Sequence, residues 1–400
     1  MILYIIAFII TLFMLAFIYI RLKYRFWALQ PVAHFYDVYY WFVDSGVIME
    51  ELPKKNKFFQ PLAKTVIFED VNKVNLTKFM HFIHLNYIFN KEYKENKFTP
   101  KQQNISPYFE GHNATCFWTL YYEPQLFQDS KTNDIVEDTK IISTITSRPL
   151  HVEISKKGEL PLKMDIYYVD YLCVDKMHRK KGIAQEMIQT HEYNQRHVNK
   201  SIKVCLFKRE DELTGIIPLC IYDTYGFNLF KWRKPQDFPA TMKFLLCDKQ
   251  NMYYLMDFIK INRNLFDIQI MPEISNLIAL IDSGNIFIYM LMEDTNIISV
   301  YFFRKTCTFV KSGEEVLSCF ASINASASLK VFIHGFKIAF WKIKEKWDEY
   351  KYLVVEKISH NDKIINDLII KTHPIISKTA YFFYNFAYHT FEPERVFIVN

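Results

Sequence analysis

The feature that most constrains the fold is a short basic turn between a strand pattern and a helix pattern. Residues 164–174 (MDIYYVDYLCV) are rich in Tyr, Ile and Val, which predicts a β-strand. Residues 182–198 predict an amphipathic helix whose apolar face includes Ile183, Met187 and His191. A strand that passes through a glycine turn into a helix is typical of folds that mix the two kinds of element.

The turn itself, Arg179-Lys-Lys-Gly182-Ile-Ala184, has the composition of a phosphate-binding loop. Backbone N–H groups at a helix N-terminus bind phosphate oxygens, and a glycine lets the backbone come close to them. Lys180 and Lys181 add positive charge beside Arg179. The alternative is a basic turn that only leads into a surface helix. The pattern R-x-x-G-x-A resembles the acyl-CoA loop of the GNAT acyltransferase superfamily, which binds the pyrophosphate of CoA.

Strand and helix patterns alternate along both halves of the chain. Residues 69–93 predict a helix in their middle, and residues 204–207 predict a strand. Residues 286–303 predict a hairpin that turns at Glu293-Asp294. The remaining predicted elements are a helix over 328–348, strands over 351–355 and 379–388, and a short apolar strand over 396–400. Two successive mixed halves predict an α/β or α+β fold with two related lobes.

Composition excludes several classes of protein. The 400 residues are 50% hydrophobic and 17% aromatic with only 9 glycines, so the chain can bury a large core and is not disordered. The net charge of +6 is spread along the chain, which favours an anionic ligand or membrane face over nucleic acid. The 7 cysteines are odd in number and none is spaced as CxxC, so we expect reduced thiols and no metal site. His178 is predicted at the surface and His191 as a packed residue.

The N-terminal segment predicts a membrane anchor. Residues 1–20 contain no charge, and twenty helical residues span roughly 30 Å, the thickness of a bilayer's hydrocarbon core. Arg21, Lys23 and Arg25 follow, which places the body of the chain in the cytosol. The alternative is a cleaved signal peptide, but no charged residue precedes the apolar run and no small-x-small site follows it. We therefore predict a single-pass membrane protein.

Four segments, in order along the chain, point to one family. Residues 171–184 (YLCVDKMHRKKGIA) are similar, without a gap, to F-L-C-V-H-K-K-L-R-S-K-R-L-A, and so resemble the N-myristoyltransferase (glycylpeptide N-tetradecanoyltransferase) family of the GNAT superfamily. Residues 24–32 (YRFWALQPV) resemble its Y-x-F-W-x-T-Q-P-V segment. Residues 381–385 and 394–400 resemble its Y-Y-L-Y-N and its apolar final strand, and residues 220–228 resemble C-R-Y-W-H-R-S-L-N.

The resemblance implies two GNAT-like lobes related by a pseudo-twofold axis. An acyl-CoA-binding lobe over 21–235 and a peptide-binding lobe over 236–400 would follow the anchor at 1–20. The implied reaction transfers a myristoyl (fatty acyl) group from acyl-CoA to the N-terminal glycine of a protein, by a monomer with no permanent cofactor. Carried over by position, the residues that contact myristoyl-CoA are Arg25, Phe26, Trp27, Cys173, Val174, Arg179, Lys180, Gly182, Ile183 and Ala184.

Three groups are predicted to carry catalysis. The backbone N–H groups of Tyr171 and Leu172 are the candidate oxyanion hole, provided that a β-bulge turns them out of the strand ladder. In the family that the chain resembles, the C-terminal carboxylate is the general base, and here that group belongs to Asn400. Burial as a strand would raise the pKa of this carboxylate, so that it could accept a proton from an ammonium group. The alternative is that residues 396–399 only complete a sheet.

The acceptor side departs from the family. Thr224 lies where the family has a histidine, residues 371–378 replace its F-G-x-G-D-G stretch, and residues 354–356 replace its N-A-L. The sequence therefore supports donor binding better than the identity of the acceptor. Two other functions stay open: a GNAT N-acetyltransferase acting on a small amine or lysine, and a non-catalytic acyl-CoA-binding membrane protein.

Overall fold

The computed structural model describes residues 2–37, 46–87, 97–128, 135–155, 158–210, 215–230, 232–310, 313–347, 350–370 and 372–400. The α-helices of this part of the chain are α1 (Ile2–Tyr24), α2 (Lys73–Asn86), α3 (Ile183–Val198), α4 (Met252–Ile261), α5 (Ile274–Asp282), α6 (Leu329–Lys346) and α7 (Asn361–Ile369). Its strands are β1 (Gly46–Val47), β2 (Ala63–Ile67), β3 (Lys97–Phe98), β4 (Phe117–Gln128), β5 (Ile135–Ile154), β6 (Leu162–Val174), β7 (Val204–Glu210), β8 (Cys220–Asn228), β9 (Met242–Leu246), β10 (Ile268–Met271), β11 (Ile286–Glu293), β12 (Asn296–Phe309), β13 (Glu315–Asn324), β14 (Tyr350–Glu356), β15 (Ile375–Tyr384), β16 (Phe386–Ala387) and β17 (Val396–Ile398).

One mixed sheet of 15 strands runs through both halves of the described chain. Its main order is β17-β10-β5-β6-β7-β15-β8-β14-β13-β12-β11-β9, with β4 and then β2 extending from β5, and β3 pairing with β12. Strand β15, from near the C-terminus, lies between β7 and β8, and β17 closes the edge beside β10. The last residues of the chain are therefore built into the part of the sheet that holds β5 and β6.

The two halves repeat one arrangement of strands and helix. Strand β6 is antiparallel to β5 and parallel to β7, with α3 between β6 and β7 in the chain. Strand β13 is likewise antiparallel to β12 and parallel to β14, with α6 as the intervening helix. The predicted mixed α/β class is confirmed, and this repeat has the form expected of two related lobes. A division of the chain after residue 235 stays a prediction.

The crossover helices form where capping and apolar spacing agree. Helix α6 begins after Ser328, whose hydroxyl accepts the N–H of Val331, a common way to satisfy a free amide at a helix start. Its phenylalanines pack into the core around β11 to β14. Helix α3 packs Ile183 and Met187 against Ile142 and Ile145 of β5. That contact fixes the N-terminus of α3 at the end of β6.

Helix α1 is long and apolar enough to cross a membrane. Its segment Tyr4–Tyr24 contains a window of 18 residues with a mean hydropathy of 2.5, and none of that window is buried. The helix continues four residues past the predicted boundary at residue 20, and its last turn carries Arg21 and Lys23. Within the part of the chain that the structure describes, α1 is the one helix that is long and apolar enough to cross a membrane.

Most predicted elements are confirmed with small shifts at their ends. The helix predicted within 69–93 is α2, and residues 88–93 lie outside the described residues. The hairpin predicted over 286–303 is β11 and β12, with Asp294 of its turn at a φ of 52°. The strand predicted over 379–388 is wrong in one respect, because Asn385 has a φ of 64° and divides it into β15 and β16.

Candidate active site

The candidate site opens where two parallel strands stop pairing. Strands β6 and β7 are paired from Ile166 and Val204 to Val169 and Phe207, and both strands continue beyond that point. A cavity of about 480 Å³, the inner cavity, lies there. Its lining residues are Trp27, Tyr87, Ile145, Tyr168, Val169, Asp170, Tyr171, Leu172, Ile188, His191, Glu192, Cys205, Phe207, Lys208, Arg209, Glu210 and Tyr384. Two strands of one sheet thus supply opposite walls of a largely apolar chamber.

A β-bulge interrupts β6 beside this cavity. Thr144 faces Cys173 and Thr146 faces Asp170, so two residues of β6, Tyr171 and Leu172, lie opposite one residue of β5. Tyr171 has a φ of 49°, a left-handed conformation that is strained for a bulky residue. Hydroxyls of β5 bond the carbonyls of the interrupted ladder: Ser143 Oγ donates to Cys173 O (2.8 Å), Thr144 Oγ1 to Tyr171 O (2.8 Å) and Thr146 Oγ1 to Asp170 O (3.1 Å). The bulge that the oxyanion-hole prediction requires is present.

One of the two predicted oxyanion donors is engaged by a neighbouring carboxylate. The N–H of Tyr171 donates to Asp170 Oδ1 at 2.8 Å, and the hydroxyl of Tyr87 donates to the same oxygen at 3.1 Å. Asp170 Oδ2 lies 3.6 Å from Arg148 Nη1, and that arginine is buried. Leu172 is 38% exposed and lines the inner cavity. A thioester oxygen could use the Tyr171 amide only after Asp170 had turned away.

A second cavity of about 420 Å³, the turn cavity, lies at the basic turn. It is lined by Asn86, Tyr87, Leu172, Cys173, Val174, His178, Arg179, Lys180, Gly182, Ile183, Ala184 and Gln185. Tyr87 and Leu172 line both cavities, so the two chambers meet at the bulge. Seven of the residues that were predicted to contact myristoyl-CoA therefore line the turn cavity. Leu172, whose N–H was predicted to bind the oxyanion, lies at the inner end of this cavity.

The turn presents the start of α3 to this chamber. Lys180 and Gly182 have φ values of 67° and 86°, and a Cβ added at Gly182 would meet nothing closer than Gln185 Oε1 at 3.8 Å. Glycine is therefore favoured here by the backbone angle and not by crowding. Among the hydrogen bonds of the described residues, none uses the N–H groups of Gly182, Ile183 or Ala184. Free amides at the positive end of a helix dipole bind anions.

Arg179 ties the turn to the rest of the lobe. Its Nε donates to Val174 O at 3.2 Å and its Nη2 donates to Asn86 O at 2.7 Å, at the end of α2. His178 is half-buried and pairs with Asp175 at 3.2 Å and Glu123 at 3.3 Å, so it is more enclosed than the predicted surface residue. Burial opposes ionisation of Asp175, but the Met177 N–H and the His178 ring lower the pKa of that carboxyl below its ordinary value. The basic residues that remain at the mouth are Lys180 and Lys181.

Of the three N-terminal residues that were predicted to contact CoA, one lines a cavity. Trp27 stacks on Phe207 with ring centroids 5.7 Å apart and lines the inner cavity. Phe26 is buried against Phe58, at 5.1 Å between ring centroids, and lines neither cavity. Arg25 is exposed, with a φ of 38° at the end of α1, and also lines neither cavity.

Asn400 lies in a buried polar cluster. It is 4% exposed, and Arg304 Nη1 donates to its backbone oxygen at 3.2 Å and to its Oδ1 at 3.0 Å. Arg304 Nη2 also donates to Glu356 Oε1 at 2.6 Å, and Glu356 Oε2 accepts from Lys208 at 2.8 Å. Burial opposes ionisation of Glu356, but Lys208 and Arg304 outweigh it and lower the pKa of this carboxyl to about 2. Because Lys208 lines the inner cavity, the cluster connects Asn400 to that chamber.

Sequence reasoning missed the charged residues at the bulge and in the polar cluster of Asn400. Asp170, Arg148 and Lys208 were given no role, and Glu356 was noted only as a departure from the family. A charge inside an otherwise apolar strand is the signal that could have found them, because such a charge must be paired when the strand is buried. His191, predicted as packed, is buried, and its Nδ1 lies 2.7 Å from Thr119 Oγ1.

Metal ligands do not converge within the described residues. No group of three or more His, Cys, Asp and Glu side chains there could hold a metal ion. All 7 cysteines are buried and none forms a disulfide in the described chain. Burial raises the pKa of Cys173, which lines the turn cavity, to about 12, so it is a neutral thiol.

The chain contains two related strand–helix–strand units. In the first unit the parallel strands β6 and β7 separate beside the inner cavity. This arrangement defines the α/β class that was predicted from the sequence. No protein-family model and no curated protein matches the sequence. The chain is similar to Saccharomyces cerevisiae N-myristoyltransferase in two crystal structures with bound myristoyl-CoA, at 13% identity and TM-scores of 0.68 and 0.70. These matches cover 92% and 94% of this chain and 94% of each enzyme chain. A structure of the same enzyme with bound myristoyl-CoA and inhibitors matches at 13% identity and a TM-score of 0.67, over 92% of this chain and 91% of that one.

The fold is thus that of the N-myristoyltransferases over nearly the whole chain, and the resemblance read from the sequence is confirmed for the fold.

Proposed function

We propose that this chain is an acyl-CoA-dependent N-acyltransferase that transfers a myristoyl (fatty acyl) group to the N-terminal glycine of a protein. The observation that carries the proposal is the meeting of two chambers at the β6 bulge. The turn cavity offers free amides and Lys180 to a pyrophosphate, and the inner cavity offers a largely apolar chamber to an acyl chain. Their junction at Leu172 suits the thioester between them.

The reaction needs a neutral amine and donors for the carbonyl oxygen. The amine nitrogen attacks the thioester carbon, a C–N bond forms, the C–S bond breaks and CoA leaves as a thiolate that takes up a proton. Negative charge develops on the carbonyl oxygen, where we assign the N–H groups of Leu172 and Tyr171 as donors. One donor of this kind contributes roughly a hundredfold or more in rate. In this proposal Asp170 leaves the Tyr171 amide when acyl-CoA binds.

The proton of the glycine ammonium goes to a carboxylate at Asn400 in this proposal. Burial raises the pKa of a carboxylate, and Arg304 acts in the opposite direction. Glu356 offsets part of the charge of Arg304, to which it is bonded at 2.6 Å. Glu356 is shared between Arg304 and Lys208, so the terminal group at Asn400 faces an arginine whose charge is partly offset and is more basic than it would be beside Arg304 alone.

The site lies close to a membrane if α1 is an anchor. Trp27, in the wall of the inner cavity, is only three positions after Tyr24, the last residue of α1. We propose a single-pass protein whose catalytic body is cytosolic and monomeric. This location suits an acylated product that itself binds membranes. Carbonate extraction of the expressed protein is the test, and release into the soluble fraction would exclude the anchor.

One experiment separates this function from its alternatives. The full chain in detergent is incubated with tetradecanoyl-CoA or acetyl-CoA and a Gly-initiated peptide, and the products are weighed by mass spectrometry. A tetradecanoyl adduct on the peptide is expected. An acetyl adduct alone would support the N-acetyltransferase instead.

A non-catalytic acyl-CoA-binding protein is the second candidate, and the Asp170 carboxylate on the Tyr171 amide is the observation that favours it. Tight binding of tetradecanoyl-CoA without any adduct would support that alternative. A matched peptide that begins with an acetylated glycine is the control, because it has no free amine and should gain no mass.

A further inference from the structure

The inner cavity is lined by both apolar and charged side chains, and the charged ones include Asp170, Lys208, Arg209 and Glu210. The apolar lining comes from Trp27, Ile145, Val169, Leu172, Ile188 and Phe207. His191 and Glu192 of α3 line the same chamber, and they are only 2% and 4% exposed. A chamber that only had to hold a hydrocarbon chain would lose stability by burying these two side chains in its wall.

Each of these side chains keeps one atom without a hydrogen bond. The atoms are His191 Nε2 and Glu192 Oε1. The other oxygen of Glu192 lies 3.7 Å from Cys205 Sγ, and Oε1 has its nearest cation, Arg196 Nη1, at 3.6 Å. Buried polar atoms are nearly always hydrogen-bonded, and leaving one unbonded costs about 1–3 kcal/mol. Both atoms are shielded in this structure, so a ligand would complete their hydrogen bonds only after the two side chains turn toward the cavity.

The hydrogen bonds behind His191 indicate which nitrogen carries its proton. Asn194 Nδ2 donates to Thr65 Oγ1 at 2.8 Å, Thr65 lies 2.7 Å from Thr119 Oγ1, and Thr119 lies 2.7 Å from His191 Nδ1. The arrangement that uses every hydroxyl proton has Thr65 donating to Thr119 and Thr119 donating to Nδ1. Burial lowers the pKa of His191 to about 3, so the ring is neutral and its single proton is on Nε2.

We propose that His191 and Glu192 form a subsite for a hydroxyl group on the acyl chain, so that the preferred donor is a hydroxy fatty acyl-CoA. The inference rests on the proposed function and names its donor more closely. A hydroxyl oxygen accepts the Nε2–H of His191, and the hydroxyl proton is donated to Oε1 of Glu192. A methylene group at the same point would leave both atoms unbonded. Burial raises the pKa of Glu192 to about 7, and a carboxyl oxygen can accept a hydrogen bond whether the group is ionised or neutral.

The test compares acyl-CoA donors that differ only in one hydroxyl group. The full chain is given tetradecanoyl-CoA and a series of hydroxytetradecanoyl-CoAs, with the hydroxyl moved along the chain, and a Gly-initiated peptide. We expect one position to raise kcat/KM about 5- to 150-fold over the unsubstituted donor, because a bonded pair replaces two unbonded atoms. An unsubstituted chain that is as good as every hydroxylated one would overturn the proposal and indicate that water fills the space beside His191 and Glu192.

Failure of the proposed function has a different signature. The absence of an adduct with every acyl-CoA would contradict acyl transfer. The hydroxyl subsite would then be tested by calorimetry, as the affinity of the protein for each of the same acyl-CoAs. Equal affinities for hydroxylated and unsubstituted acyl-CoA would overturn it.

Variants of α3 locate the effect in the cavity wall. Glu192→Leu should reduce the preference for the hydroxylated donor to about twofold or less, whereas Glu192→Gln keeps an acceptor oxygen and should keep most of it. Gln189→Leu is the matched control, because Gln189 is a buried polar residue of the same helix that bonds Asn56 and does not line the cavity. A preference that survives Glu192→Leu would contradict the subsite. If that variant does not fold, His191→Phe makes the same test from the donor side.

Discussion

Replacing Asp170 by asparagine should make the protein a faster acyltransferase. The Asp170 carboxylate accepts the Tyr171 N–H at 2.8 Å, which is the place where a thioester oxygen would have to lie to use that amide. Asp170→Asn removes the negative charge and keeps the size of the side chain. The prediction follows from competition between one carboxylate and one oxyanion for the same donor.

The magnitude comes from two opposing quantities. Two negative charges about 4 Å apart repel each other by about 4 kcal/mol at an effective dielectric constant near 20. One oxyanion donor contributes roughly 2.7–4 kcal/mol, so a carboxylate that stayed in place would cancel it and must move. A hydrogen bond to a charged acceptor contributes about 1 kcal/mol more than one to a neutral acceptor, so the neutral side chain of the variant would leave the amide more easily. About 1 kcal/mol corresponds to an increase of about fivefold in kcat/KM.

The assay is steady-state transfer of tetradecanoyl from its CoA ester to a Gly-initiated peptide. Asp165→Asn is the matched control, because Asp165 is on the same strand, pairs with His151 at 2.7 Å and lines neither cavity. We expect that variant to leave kcat/KM unchanged. A decrease in Asp170→Asn would refute the reasoning and assign the carboxylate a positive part in the reaction.

Four further predictions test other parts of the account. Gly182→Ala puts a side chain at a φ of +86°, which strains the turn by about 1–2 kcal/mol and should weaken calorimetric binding of CoA about 5- to 30-fold; Gly158→Ala, at +75° in the β5–β6 connection, should leave it unchanged. Glu356→Gln leaves two partly buried cations, Lys208 and Arg304, without their carboxylate and should lower the free energy of unfolding in urea by about 3 kcal/mol. Because folding lowers the pKa of Glu356 from 4.5 to about 2, its stabilisation is complete above pH 4.5 and falls away toward pH 2 by about 3 kcal/mol, a slope that the variant should lack. A few residues added after Asn400 should abolish transfer but keep CoA binding, and unchanged turnover would remove the terminal carboxylate from the mechanism. A protein without residues 1–20 should still turn over soluble peptides. Loss of that turnover would show that the helix does more than locate the protein.

The sequence predicted best those elements whose pattern is local. The run from β6 through the turn to α3 was predicted within two residues at each end, because side-chain periodicity and Gly182 both act over a few residues. The break at Asn385 was missed, because its φ of 64° is fixed by distant partners. Its side chain donates to Met49 O and Lys203 O, more than 180 positions away.

The site was predicted in part for the same reason. Ten of the twelve residues that line the turn cavity lie between Leu172 and Gln185, so most of the lining could be read from one motif, whereas Asn86 and Tyr87 could not. The polar cluster at Asn400 joins Lys208, Arg304 and Glu356 from three separate strands. Such a cluster depends on the order of strands in the sheet, which no local pattern contains. The bulge was named as a requirement, but the competition from Asp170 depends on a side-chain rotamer that sequence does not give.

The most direct test of the central claim is a crystal structure of the protein with a non-hydrolysable analogue of tetradecanoyl-CoA. We predict that the pyrophosphate contacts the N–H groups of Gly182, Ile183 and Ala184, and that the carbonyl oxygen lies within about 3 Å of the Leu172 nitrogen. Asp170 should have turned away from the Tyr171 amide. An analogue bound elsewhere, or one whose carbonyl points away from the bulge, would contradict the account.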